Sequence, residues 1–380
     1  QSKNIQLSKL QNILTDLNNI LETSKKPSSG YEHDTVYIDA NNTINITAKN
    51  GGVLMEGTDV ISRNGNISIL AEGNLASTTI VGTDPTTNIS KTEINNDSIR
   101  ITGLANIYQQ GSISNGNVTG TNYSYHQLIN QPTLVAKGDI KISAQGKLAQ
   151  ASDTYNSALK AYTTNNAVIL NSADIKSTNG NVRIDAALGD VNLESAQAAF
   201  MDGSQTTSTS RSWYGKKKVK TTTKTSNNSN AVTTDIQAKN ISLTADGNIN
   251  IYGSELTAAS TGNINLSAGK GLYLYAIDDV DESTTDIKKK SSFLGVRYNK
   301  DHTNDTRQEL SQLPTTLIGG KAYTQSGSNT LLQGTVFDTL KPADIKVGVG
   351  KYADDAAKVI LAPITNQITT THTQERESTV

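Results

Sequence analysis

The chain has 380 residues, no cysteine, a formal net charge of -1, and only 35% hydrophobic and 5% aromatic residues. That balance excludes a disulfide scaffold, a thiolate metal site and the strongly basic footprint of a dedicated nucleic-acid binder. It also argues against one large globular core, whereas abundant Ile, Val and Thr argue against disorder; an elongated repeat domain is expected.

No apolar run reaches the roughly 18 residues needed to span a bilayer, and no cationic-plus-apolar signal peptide opens the chain. Because it starts at Gln1 rather than Met, it reads as a soluble piece of something longer.

Residues 1–30 form the first predicted element. Ile5, Leu7, Leu10, Ile13, Leu14, Leu17, Ile20 and Leu21 recur every three or four positions, which is one face of an amphipathic helix. Lys25, Lys26 and Pro27 suit its C-terminal end. Such a helix caps the domain that follows or joins two copies of the chain.

From Thr35 the period drops to two, and residues 31–199 read as stacked coils. The unit is a Gly or Asn turn followed by a short strand with alternate apolar residues, as in Thr43–Ala48, Gly65–Ala71, Gly138–Ala144, Gly180–Ala186 and Gly189–Ser195. Residues 236–278 carry the clearest run: Ile241, Ile249, Leu256, Ile264 and Leu272 begin strands seven or eight residues apart. This self-similarity predicts an all-β, right-handed parallel β-helix, a solenoid with protruding loops or β-hairpins. Two strands plus turns, roughly 15 to 16 residues, are expected per coil. At roughly 18 residues per coil, about 250 coil residues give on the order of 14 coils and a rod about 65 Å long. Asn and Thr at the corners are expected to form side-chain hydrogen-bond ladders from coil to coil. An antiparallel barrel competes, but the turns lack paired hairpin signals.

Two segments break the coil pattern, at 200–235 and 279–315. Ser212-Trp213-Tyr214-Gly215-Lys216-Lys217-Lys218 lies 80 residues before Ser292-Phe293-Leu294-Gly295-Val296-Arg297-Tyr298, so a longer repeat is laid over the short one. The alternation in Lys218–Thr222 predicts polar hairpins or side loops. Residues 316–380 are expected to hold the last coils and a C-terminal segment.

Coils of the form Gly262-Asn263-Ile264-Asn265-Leu266-Ser267-Ala268-Gly269, broken by Ser/Thr-rich excursions with an aromatic-x-Gly-Lys/Arg centre, resemble the haemagglutinin repeats of filamentous haemagglutinins. They resemble equally the matching region of contact-dependent growth-inhibition toxin-delivery proteins. Leu313–Gly320 and Ile345–Gly350 are also similar to segments of that family, and the likeness covers about 130–380 well and 35–130 more loosely. The resemblance implies a two-partner-secreted filament on the bacterial cell surface, exported by an outer-membrane transporter and continuous with other domains of one polypeptide. In the toxin-delivery members this region is associated with engaging the target cell's outer membrane. Neither the secretion domain's Asn-Pro motifs nor a toxin module is found.

No enzyme, cofactor or metal site is expected. His33, His126, His302 and His372 are far apart in sequence, without a zinc pattern, and read as exposed loop residues. Asp278, Asp279, Asp281 and Glu282 have the chemistry of a Ca²⁺ ligand set, but the run occurs once and reads as a solvated loop. A polysaccharide-active enzyme would need paired carboxylates from neighbouring coils, whereas acidic residues here are scattered. Contact with a surface or membrane falls to Arg211, Trp213, Tyr214, Lys216, Lys217, Lys218, Phe293, Arg297 and Tyr298, where cations interleave with the single Trp. The bland alternative is a solubilising hairpin whose aromatic pair folds back on the rod. Delivery of a toxin and adhesion to host or bacterial glycans or proteins both remain open.

Overall fold

The computed structural model describes residues 29–378 except 32, 74–76, 84–89, 96–97, 115–116, 146–154, 157–160, 163–166 and 294–295. The amphipathic segment expected over 1–30 lies almost wholly outside the described residues.

Three parallel sheets of eight strands each wall the rod. Alternation decides which side chains enter. In the Ile241–Ala245 strand, Ile241, Leu243 and Ala245 are buried, while Ser242 and Thr244 sit partly in solvent. Pairing is in register, so like residues stack: Ile67 on Ile140, Ile140 on Val182, Val182 on Ile241 and Ile241 on Ile264. The second wall continues this with columns of Ile or Leu (Ile69, Ile142, Ile184, Leu243, Leu266) and of Ala (Ala71, Ala144, Ala186, Ala245, Ala268). These columns fuse into one apolar core with those of the other walls.

The coil is larger than the sequence spacing implied. Ile241 stacks on Ile264, with Ile249 and Leu256 assigned to the other two walls, so one coil uses three strands rather than two. The seven-to-eight-residue step is the distance from one wall to the next. Eight strands per wall therefore give a rod of about 38 Å at about 4.8 Å per coil, not 65 Å.

Corner ladders run along the rod as expected. Asn66 N–H donates to the Thr43 hydroxyl (3.3 Å), Asp139 N–H to Asn66 Oδ1 (2.8 Å) and Asn181 N–H to Asp139 Oδ1 (2.7 Å). Asn240 then donates its amide to Asn181 (2.7 Å), and Asn263 N–H donates to Asn240 Oδ1 (2.9 Å). Each side chain caps the turn of the neighbouring coil, which is why short polar residues outnumber charged ones here.

Long hairpins leave the rod at the corner between the third wall and the first, on every second coil, while two shorter strand pairs, Ser77–Thr83 with Ser90–Asn95 and Tyr155–Asn156 with Ala161–Tyr162, leave between the second wall and the third. The long hairpins occupy Leu104–Asn130, Ala196–Val232 and Ile277–Leu313, with Gln367–Ser378 leaving from the last coil. The first of these falls within 31–199, which therefore holds more than coils. Instead of standing apart, they join with Ser29–Tyr31 into an eight-stranded antiparallel sheet, a fin along the side of the rod. A hairpin contributes two strands for every two coils, so fin and rod advance by the same distance per repeat.

Coils without a long hairpin turn the corner between the third wall and the first through one residue of positive φ: Gly57, Ser172, Gly253 and Gly334. The last three are each 81 residues apart. A Cβ on Gly253 would collide with Ile277, and one on Gly334 with Ile364. These are the first residues to leave the rod from the next coil. Where the corner does carry a Cβ, at Ser172, the departing residue is Ala196, and its N–H donates to Ser172 Oγ (2.8 Å). Where the chain returns, fully buried Thr234 and Thr315 give their hydroxyls to the carbonyls of Glu194 (2.8 Å) and Tyr275 (2.9 Å), the last third-wall residues before each hairpin.

Gly253→Ala is expected to cost at least 1–2 kcal/mol from backbone conformation, with the Ile277 collision added. Combining it with Ile277→Ala should recover the steric part, whereas Ser172→Gly relieves the positive φ but loses the acceptor of Ala196 N–H and should cost about 1 kcal/mol net. Equilibrium denaturation of these three variants and of Ile277→Ala alone checks this; strictly additive effects at 253 and 277 would refute the contact.

Candidate functional site

The described side chains that stand out chemically lie at the free edge of the fin. In the second hairpin Arg211 faces Lys217, Ser210 faces Lys218 and Ser208 faces Lys220. In the next strand over, Lys216 faces Phe293, Lys217 faces Ser292 and Val219 faces Lys290. Lys290 in turn faces Lys300. The tip closes through Ser212 N–H to Lys216 C=O (2.8 Å) and Gly215 N–H to Ser212 C=O (3.0 Å), with Gly215 at φ +92°.

Trp213 is 97% exposed and Tyr214 50% exposed, their rings edge to face at 5.7 Å. The aromatic pair therefore does not fold back on the rod. Phe293, 44% exposed, marks the adjacent tip. Arg297 and Tyr298 lie at the tip end of the Val296–Leu313 strand, with Arg297 opposite Ser292; their side chains are not among those described.

Charge is sorted along the fin. Asp278, Asp279, Asp281 and Glu282 sit at the root of the third hairpin, in a strand and not in a loop. Asp279 accepts Ala231 N–H (2.6 Å) and Asp278 accepts the Gln312 amide (2.6 Å), so these carboxylates fasten the root. Lys288, Lys289 and Lys290 sit further out on the same strand. That Lys run and Lys300 belong to the basic edge, although sequence reasoning did not single them out; three consecutive lysines beside a matching tip were the available signal.

Three of the histidines also lie in fin strands rather than loops, each against a carboxylate of a neighbouring strand: His126 with Asp202 (2.9 Å), His302 with Asp286 (3.3 Å), and His372 with Asp305. Among the described residues no group of three His, Asp or Glu is placed to hold a metal.

A cleft of about 440 Å³ lies where the fin meets the first wall, lined by Asp174, Asp235, Glu255, Thr233, Leu313 and Pro314 among others. Asp174 and Asp235 are in register on adjacent coils. Burial holds the Asp235 carboxyl above its usual range, against hydrogen bonds from Glu255 N–H and the Thr233 hydroxyl. The raised value means the charged form is disfavoured in the folded state. Stability is therefore undiminished below the unfolded carboxylate range and falls as pH rises through the raised value. Asp235→Asn should consequently raise the melting temperature at pH 7 by on the order of 1 °C or more and show no gain at pH 3. Thermal melts at both pH values test this, and equal shifts at the two would count against a titrating Asp235.

Comparison with curated proteins and with solved structures returns no match. Residues 214–351 match the family model described as Hemagglutinin repeat, which spans the returning strand of the second hairpin, the third hairpin and the coils around them. This segment of the chain is a haemagglutinin-repeat region.

Proposed function

We propose that the chain is the non-enzymatic β-helical shaft of a large secreted filament of the filamentous-haemagglutinin type, exported by two-partner secretion through an outer-membrane transporter. The observation that carries this is the 81-residue period, in which two coils and one hairpin repeat as a mechanical unit. A rod of this kind gains stability from each neighbour interface and extends by adding units. Its role is to set distance and orientation for contiguous domains of the same polypeptide.

Within that role, delivery of a toxin to neighbouring bacteria on contact is the reading we favour, with the fin tips meeting the target cell's surface. The exposed Trp213 and the basic tips also suit a second reading, an adhesin whose tips grip surface molecules.

In the native full-length protein, deleting residues 173–253 joins one tight corner to the start of the next and removes one whole period. Surface display is expected to survive, as read by antibody labelling of intact cells, while deletion of 173–213 should abolish it. Loss of display in both deletions would contradict a modular shaft. Release of sugars from a polysaccharide panel would contradict the non-enzymatic assignment. Killing of co-cultured bacteria separates delivery from adhesion.

A further inference from the structure

One face of the fin edge carries five cations on neighbouring strands: Arg211, Lys217, Lys290, Lys288 and Lys300. Direct partners across strands share a face and alternate residues along a strand return to it, which places these five together. Two are compensated on the spot. Lys288 meets Asp286 at 3.2 Å and Lys300 meets Glu377 at 3.3 Å. The remaining carboxylate of that face, Glu375, is turned to His302 (3.8 Å).

The side chains of Arg211, Lys217 and Lys290 have no hydrogen-bond or ion-pair partner among the described residues. Arg211 and Lys217 are directly opposed in the hairpin, an arrangement that destabilises a sheet unless an anion sits between the charges. Lys218 and Lys220 on the other face add to the same field. Beyond this group, at the outermost point of the hairpin, stands Trp213, almost wholly in solvent. An indole with cations just behind it matches the layering of a bilayer surface, where apolar contact and phosphate lie at successive depths.

We propose that the fin edge is a docking surface for an anionic phospholipid bilayer, with lipid phosphates held by Arg211, Lys217 and Lys290 and Trp213 seated among the headgroups. This names the chemistry of the tip contact and rests on the surface-shaft reading only for bringing the tips to a membrane.

Because the chain has one Trp, its fluorescence reports this tip alone. Vesicles of mixed phosphatidylglycerol and phosphatidylcholine should co-sediment the full chain and shift its emission to the blue, more weakly as salt rises. Pure phosphatidylcholine vesicles should do neither. The triple variant Arg211→Gln, Lys217→Gln, Lys290→Gln should lose affinity on the order of a hundred-fold. A control triple on the rod, Lys141→Gln, Lys176→Gln, Lys239→Gln, removes the same charge and should bind as the parent does. Circular dichroism confirms that both fold.

Equal binding by the two triples, or no blue shift on anionic vesicles, overturns the proposal. Abolition of vesicle binding by inorganic phosphate at matched ionic strength reassigns the patch to a soluble anion and likewise overturns it. None of these outcomes bears on whether an in-register deletion is displayed, so the shaft stands or falls separately.

Discussion

The spacing between hydrogen-bonded strands, about 4.8 Å, is the constraint on which the molecule is built. It sets the rise of the rod, where the strands run parallel, and the step of the fin, where they run antiparallel. Two strands of hairpin fill the same height as two coils, so a hairpin on every second coil keeps both assemblies in step. A hairpin on every coil would crowd the fin, and one on every third would leave gaps in it. The alternation of tight corners with hairpins is the consequence, and the positive-φ residues at Gly57, Ser172, Gly253 and Gly334 are its local signature.

Rod and fin use different chemistry for the same geometry. Inside the rod, columns of Ile, Leu, Val and Ala are fully enclosed, and area burial dominates. The fin has solvent on both sides, so its strands are held by backbone pairing and by rows such as Thr207 with Thr221 (3.2 Å) and Thr284 with Thr306 (3.3 Å). Such rows tolerate many residues, which leaves the tips free to vary in charge and aromatic content. That freedom is where contact with a partner can be written into a structural protein.

Much of the rod was legible in the sequence, because alternation of Ile or Leu with Asn or Ser fixes which face of a short strand is buried. The corner ladders were legible too, from Asn and Thr recurring at the coil corners, although Asp139 supplies one of the rungs. The number of strands per coil was not: a step of seven or eight residues is compatible with two walls or three, and only the stacking of Ile241 on Ile264 decides it. The joining of hairpins into a fin was hidden for a related reason, since Ser and Thr carry no register signal. Of the contact residues, Trp213 and the Lys216–Lys218 run were visible as a motif. The opposition of Arg211 to Lys217 and the approach of Lys290 depend on pairing between strands distant in sequence.

The hydrogen bonds of both sheets point along the long axis, so a pull on the ends loads them directly. Between the fifth and sixth coils the three walls pair three, five and four residues, while the seam joining the second and third hairpins pairs fourteen. The fin thus acts as a tendon laid beside the rod. At that step it shares axial load through a seam at least as long as that of the coils, whereas the seam between the first and second hairpins pairs only six residues and leaves the load there to the core.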